Sequence, residues 1–322
     1  MSENIQVSII IPLLNEEKYI RNCLESLAKQ TFPIEKTEWI LVDGISSDKT
    51  VEIIKEYEQR YPIVLLMNEK KKTPYALNKG IDAAKGEYII RMDAHAEFSI
   101  NYVEKCVYYL ENTDADNVGG IAETKSQGVM GKAIAYMLST KFGVGGSAFR
   151  TSTKSGYVDT VPFGAFRATT FKKYGMFNTE LLRSEDNEMN ARIRNNGGKI
   201  YLSNEIIFTY YCRDSIVGLL KMALQNGNAL FRTMRVDPKA MSMRHYIPFL
   251  FFVSVVSLPI FSMIYFPLRY LLGLELTCYF LLDIYYSALK NKYGFITIWL
   301  YPLFHLAYGL GSFLGMLNIN LY

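Results

Sequence analysis

The chain has 322 residues, half of them hydrophobic, with 35 basic against 31 acidic side chains and a net charge of +4. That length supplies a sizeable core for one large domain or two, and the near-balance of charge excludes a nucleic-acid binder as a whole. Cys23, Cys106, Cys212 and Cys278 have neither metal-type spacing nor close pairing, which reads as reduced, mostly buried thiols in a protein whose soluble part faces the cytosol. Met1 to Gln6 is polar, so no signal peptide is expected.

Val7 to Pro12 is an apolar run stopped by proline, which suits a buried parallel strand. A helix follows, with apolar positions at Tyr19, Ile20, Cys23, Leu24 and Leu27. Trp39 to Val42 is a second strand ending at Asp43-Gly44, and Ser46-Ser47-Asp48 supplies cap chemistry for a helix from Lys49 to Gln59. Ile63 to Met67 is a third strand. Lys70-Lys71-Lys72 reads as a solvated turn, with contact to phosphate or anionic lipid as the alternative. A helix from Tyr75 to Ala84, with Gly86 as its stop, leads into a buried strand from Tyr88 to Met92. This alternation predicts an α/β fold with a parallel, doubly wound sheet.

Asp93 and His95 follow directly on that last strand, where ligands bind in open α/β sheets. Side chains at i and i+2 can point the same way, so the pair could hold one cation and leave positions free for diphosphate oxygens. A turn capped by Asp with a surface His is the plainer reading. Asp43 ends a different strand of the same sheet and reads either as a cap or as a second acid facing the same crevice. Gly44 beside it permits a tight turn or a close ligand approach.

Tyr102 to Leu110 reads as a helix and Asn117 to Ile121 as a strand. Lys125 to Tyr157 lacks periodicity and is expected to be a mobile loop or lid. Val158 to Arg167 resumes strand character, with Gly164 where a backbone could approach a substrate. Between Leu181 and Gly197, a Ser184 cap, acids in the first turn and a glycine stop describe a helix. Its leading acids, Glu185 and Asp186, suit the helix dipole, and equally suit a carboxylate placed to take a proton.

Val7 to Pro12 with Asn15 and Glu16, Val42-Asp43-Gly44 with Ser46 and Asp48, Asp93-Ala94-His95, and Glu185-Asp186 occur in an order that resembles the family 2 glycosyltransferases of GT-A fold. Together they cover roughly the first 210 residues. Arg91 to Ala96, Thr160 to Arg167 and Ser184 to Arg192 are similar, more narrowly, to the membrane-attached succinoglycan-biosynthesis type. The resemblance implies a Rossmann-like, mostly parallel sheet with helices on both faces. It implies a nucleotide-sugar site at Pro12, Asn15, Glu16, Asp43, Gly44, Asp93 and Gly164, in which Asp43 accepts from a base imide and so favours uridine. Asp93 and His95 would hold Mg²⁺ or Mn²⁺, and Asp186 would be the general base with Glu185 beside it. His95 stands where the family usually has a second Asp, and Leu14 where many members carry an aromatic residue near the base.

Residues 1–213 are therefore expected to form the catalytic domain. Residues 214–245 mix apolar and basic residues like an interfacial helix, and 246–322 form a membrane tail of two to three spans. The candidate spans are Ile247 to Phe266, Tyr270 to Leu289 with Glu275 and Asp283 inside it, and Phe295 to Leu317. Basic residues before the first span, and Lys290 with Lys292 before the third, put those loops and the catalytic domain on the cytoplasmic side of the cell membrane. The expected activity is inverting, metal-dependent transfer of one sugar from a UDP-sugar to a lipid-linked saccharide in exopolysaccharide or cell-surface polysaccharide assembly. A polyprenyl-phosphate sugar synthase and a non-catalytic nucleotide-binding scaffold are the alternatives.

Overall fold

A computed structural model of the chain describes residues 5–289 and 293–321. Lys290 and Lys292, on which the expected sidedness partly rests, lie outside the described residues, as do the first four residues of the polar N-terminus. The chain forms two compact units. One comprises the residues up to Glu123 with Ser152–Tyr210, the other Thr124–Thr151 with the residues from Tyr211 onward.

The first unit is built on a sheet of strands β1 (Val7–Leu13), β2 (Thr37–Asp43), β3 (Ile63–Met67), β4 (Tyr88–Arg91), β5 (Ala96–Phe98), β6 (Asn117–Lys125), β7 (Gly156–Tyr157), β8 (Ala165–Arg167) and β9 (Ile200–Tyr211). Their order is β3-β2-β1-β4-β8-β6-β9-β5, with β7 on β9. The β3-β2-β1-β4 half is parallel, as the apolar runs predict, because strands covered on both faces need apolar residues at every position. Ile9, Ile10, Ile11, Trp39, Ile40 and Leu41 are all buried. Beyond β4 the sheet continues with antiparallel pairs, β4 with β8, β8 with β6, and β9 with β5 and β7.

Pro12 does not stop its strand. The carbonyls of Gln6 and Ile10 accept from Tyr88 and Met92, so alternation turns the nitrogen of Pro12 toward β4, past the last β4 pair. The missing donor costs nothing there. Gly86 is likewise not a helix stop, since the helix Thr73–Ala83 ends earlier. A Cβ on Gly86 would lie 2.6 Å from the backbone nitrogen of Ser8, so its small size serves strand packing.

The second unit corrects the expectation of a loop over Lys125 to Tyr157. Most of that segment is helical, in Gly128–Met137, Lys141–Val144 and Ala148–Thr151, with Gly156–Tyr157 a short strand. Gly131, Ala133, Ile134, Ala135 and Met137 are all buried, so the first helix has no polar face to reveal its period. Phe142 sits among Tyr279, Tyr286, Tyr301 and His305, with ring centroids 4.8 to 5.7 Å away. Tertiary packing overrides the weak local preference of this glycine-rich stretch.

Ile216–Val236 is a helix whose start is capped by Ser215 and whose buried face carries Leu219, Ala223, Gly227, Asn228, Leu230 and Thr233. It packs on Gly294–Met316 at backbone contact. A Cβ on Gly227 would fall 2.0 Å from the Tyr308 carbonyl oxygen, and one on Gly311 2.1 Å from that of Leu224. Arg235, expected on an interfacial face, spends its guanidinium capping Gly294–Met316 through the carbonyls of Gly315 and Met316 at 2.9 and 2.8 Å. Among the described residues two helical stretches are long and apolar enough to cross a membrane, Met243–Phe261 and Leu268–Ala288, with mean hydropathy 1.5 and 1.2. The third expected span forms the helix Gly294–Met316 but is not among them, and one face of it is buried by protein.

Candidate active site

Three loops leave the carboxyl ends of β1, β2 and β4 along one edge of the parallel half. The order β2-β1-β4 places the strand-order reversal between β1 and β4, the position where ligands bind in open α/β sheets. Hydrogen bonds bind the first two loops together. Asn15, at φ +56°, donates its backbone N–H to Ser46 Oγ at 2.8 Å and accepts at Oδ1 from Ser47 N at 2.8 Å. Glu16 N donates to Thr50 Oγ1 at 2.8 Å. Asp48 accepts from Thr50 N and Oγ1 at the start of the helix Thr50–Glu58, so the expected cap chemistry rests on this one acid of the three residues.

Asp43 is wholly buried and accepts from Ser46 N at 2.8 Å and Ser46 Oγ at 2.5 Å. Each carboxylate oxygen keeps a second lone pair. Gly44 donates to the Leu13 carbonyl at 2.8 Å, and a Cβ there would press on Leu14 at 3.3 Å. Ile45 next to it holds φ +62°, a conformation unusual for a β-branched residue and found where neighbouring bonds enforce it.

After β4 the chain makes a turn closed by Ala96 N on the Asp93 carbonyl at 3.2 Å, which brings the side chains of Asp93 and His95 together. His95 Nδ1 lies 3.1 Å from Asp93 Oδ1 and 3.2 Å from Glu16 Oε1. Glu16 belongs to the β1 loop, so this contact bridges the strand-order reversal. A 3.1 Å separation suits a hydrogen bond and is also about the edge of an octahedron with metal–ligand bonds of ~2.1 Å. Among the described residues no group of three or more His, Cys, Asp or Glu side chains is placed to hold a metal ion. Asp93 offers a carboxylate oxygen of the kind a hard divalent ion takes, while His95 offers a softer imidazole nitrogen, and an ion held by the pair would take its other positions from phosphate and water.

Glu185 and Asp186 open the helix Glu185–Asn195. Ser184 precedes it at φ +65° and makes no side-chain cap bond, contrary to expectation. The helix is held by long-range bonds instead. Asn190, 1% exposed, donates to Thr160 Oγ1 and the Val161 carbonyl at 2.8 and 2.9 Å and accepts from Asn117 at 2.6 Å. Arg192 pairs with Glu188 and donates to the carbonyls of Tyr174 and Met176. These bonds leave the first turn facing Arg91 of β4, whose Nη2 donates to Glu185 Oε1 at 3.0 Å and whose Nη1 donates to Asp186 Oδ1. Burial is the strongest influence on the Asp186 carboxyl and pushes it up, Arg91 pulls it back, and Glu185 and Asp93 push again, leaving it at about 6. A carboxylate poised there takes a proton more readily than an ordinary Asp.

Gly164 lies against β4. Its carbonyl accepts from Arg91 N at 3.0 Å, and a Cβ would meet Asn117 Oδ1 at 2.3 Å, so protein fills the space a side chain would need. Arg91, Asn190 and Asn117 were not singled out in the sequence. A visible signal existed for Arg91, since a charge inside an apolar strand demands a buried partner.

Residues 8–175 match the sequence family described as Glycosyl transferase family 2. The chain belongs to that family. Along 326 aligned residues, 98% of each chain, this family 2 glycosyltransferase is 30% identical to the dolichyl N-acetyl-alpha-D-glucosaminyl phosphate 3-beta-D-2,3-diacetamido-2,3-dideoxy-beta-D-glucuronosyltransferase of Methanococcus voltae. It is 30% identical over 214 residues, 66% of this chain and 64% of the relative, to succinoglycan biosynthesis protein ExoA of Rhizobium meliloti. The mannosyltransferase PcManGT of Pyrobaculum calidifontis, solved with GDP-Man and Mn²⁺, shares the fold with a TM-score of 0.67 at 16% identity, over 96% of this chain and 87% of that one. The expected glycosyltransferase α/β fold is thus borne out.

Proposed function

We propose that this glycosyltransferase moves a single sugar, with inversion, from a UDP-sugar to a hydroxyl of a lipid-linked saccharide at a membrane, using Mg²⁺ or Mn²⁺. The observation that carries the reading is the convergence of Glu16, Asp93 and His95 at the crevice, with Asp186 tied through Arg91 to the same strand end. Asp43 would accept from the base imide with a remaining lone pair, while Pro12, Asn15 and Gly44 shape the nucleotide end. Asp93 and His95 would hold the ion, which when bound neutralises charge developing on the diphosphate.

Asp186 takes the proton of the acceptor hydroxyl as its oxygen bonds to the anomeric carbon. The bond from that carbon to the diphosphate oxygen breaks, and UDP leaves with the electron pair. One in-line displacement inverts the centre. The two apolar helical stretches support a membrane setting, and the dolichyl-phosphate and succinoglycan names of the relatives support a lipid-linked acceptor. The catalytic unit would then face the cytoplasm.

A thermal-shift screen of nucleotide sugars with and without Mn²⁺ tests this. A donor at one hundred times its Kd stabilises by about 2.7 kcal/mol, so a UDP-sugar is expected to raise Tm by several degrees, and only with the cation. A cation-independent shift would overturn the metal requirement, and a shift with guanosine but not uridine donors would overturn the donor assignment.

A further inference from the structure

Arg91 places a guanidinium in the apolar run of β4 with the residue only 7% exposed. Such a charge is tolerated inside a protein when it is paired with good geometry. Both partners are supplied by consecutive residues of one helix turn, Glu185 at 3.0 Å from Nη2 and Asp186 on Nη1. The ring of Phe163 lies 5.8 Å from the guanidinium carbon. Among the described residues Nε has no hydrogen-bond partner, and the fork is aimed at the two acids.

Anchoring the helix does not require this fork. Asn190 and Arg192 already tie Glu185–Asn195 to Thr160, Val161, Tyr174 and Met176. What the fork adds is the orientation of two carboxylates in the first turn. Arg91 also precedes Asp93 by two residues at the same strand end, and alternation puts such side chains on one side.

We propose that Arg91 is a positioning residue for sugar transfer. Its Nη1 arm holds Asp186, and its Nη2 arm the adjacent Glu185, at a set offset from Asp93 and His95, so that the register of one strand fixes the distance between the proton acceptor and the diphosphate-holding pair. This rests on the assignment of Asp186 as the base. An ammonium cannot replace the fork, because it is a point charge and lacks a planar pair of donors spaced for two carboxylates.

The test is Arg91→Lys in the full chain in detergent, alongside Asp186→Asn. For Arg91→Lys, kcat is expected to fall on the order of 10 to 100-fold, the scale of a displacement of about 1 Å. KM for the donor, the affinity for UDP with Mn²⁺ and Tm should stay near wild type. A merely structural arginine would have kcat per folded molecule restored by lysine, and that result overturns the proposal. Full transfer by Asp186→Asn overturns it too, together with the base assignment; loss of transfer in Asp186→Asn with full kcat in Arg91→Lys sinks the role of Arg91 alone. Should Arg91→Lys not fold, Arg91→Gln combined with Glu185→Gln removes one charge of each sign, and the same selective loss of kcat is expected.

Discussion

Replacing Asp186 with Asn should lower transfer by about 10³-fold, within the 10²–10⁴ range of general-base catalysis, while donor affinity stays within about twofold of wild type. Asn keeps the size of the side chain and a carbonyl oxygen to accept from Arg91 Nη1, so the fold around the helix start is preserved. What it loses is a group able to carry away a proton. Glu185→Gln is expected to cost less, because both acids accept from Arg91 but the Glu185 side chain is only 11% exposed against 23% for Asp186. The pH dependence has the same origin. With the Asp186 carboxyl raised to about 6, the active form is the deprotonated one, so kcat/KM should rise with pH up to about 6 and level off above it. Below that point it should fall tenfold per unit. Full transfer by Asp186→Asn, measured by release of UDP with acceptor present, would remove Asp186 from the chemistry.

A single methyl group should break the second unit. Gly311→Ala would put a Cβ 2.1 Å from the Leu224 carbonyl oxygen, and its nearest neighbours are all backbone atoms of the opposing helix. A flexible side chain could rotate away, but two helix backbones can only separate. We expect a loss of about 2 to 3 kcal/mol, the overpacking range, despite the better helix propensity of alanine. Gly227→Ala, with its Cβ 2.0 Å from the Tyr308 carbonyl oxygen, should behave alike. Gly273 is the control, since a Cβ there meets nothing within 4 Å among the described residues. Gly273→Ala should stabilise by about 0.5 to 1 kcal/mol. Thermal unfolding in one detergent compares all three, and equal Tm values for Gly311→Ala and Gly273→Ala would contradict the close helix crossing.

The parallel half of the sheet was legible because its strands are buried on both faces and read as unbroken apolar runs. Asp43 and Asp93 were legible for the same reason, since the β2 and β4 runs stop abruptly at them. Other features depend on partners far away in the chain. Arg91 meets its acids across more than ninety residues, and Asn190 reaches Asn117 and Thr160. Neither pairing leaves a local pattern. Ser184 has the composition of a cap, but its left-handed backbone directs the side chain away from that bond. The helix Gly128–Met137 is hidden by small residues buried on several faces, and Phe142 reads as an ordinary apolar residue until its aromatic surroundings are assembled.

The loops after β1, β2 and β4 are proposed to hold one nucleotide diphosphate with a divalent cation. Anomalous diffraction from crystals of the chain grown with UDP and Mn²⁺ tests it most directly. A manganese peak between Asp93, His95 and the diphosphate, with the uracil beside Asp43, is the predicted result. A peak elsewhere, or a nucleotide bound away from this edge of the sheet, would contradict it.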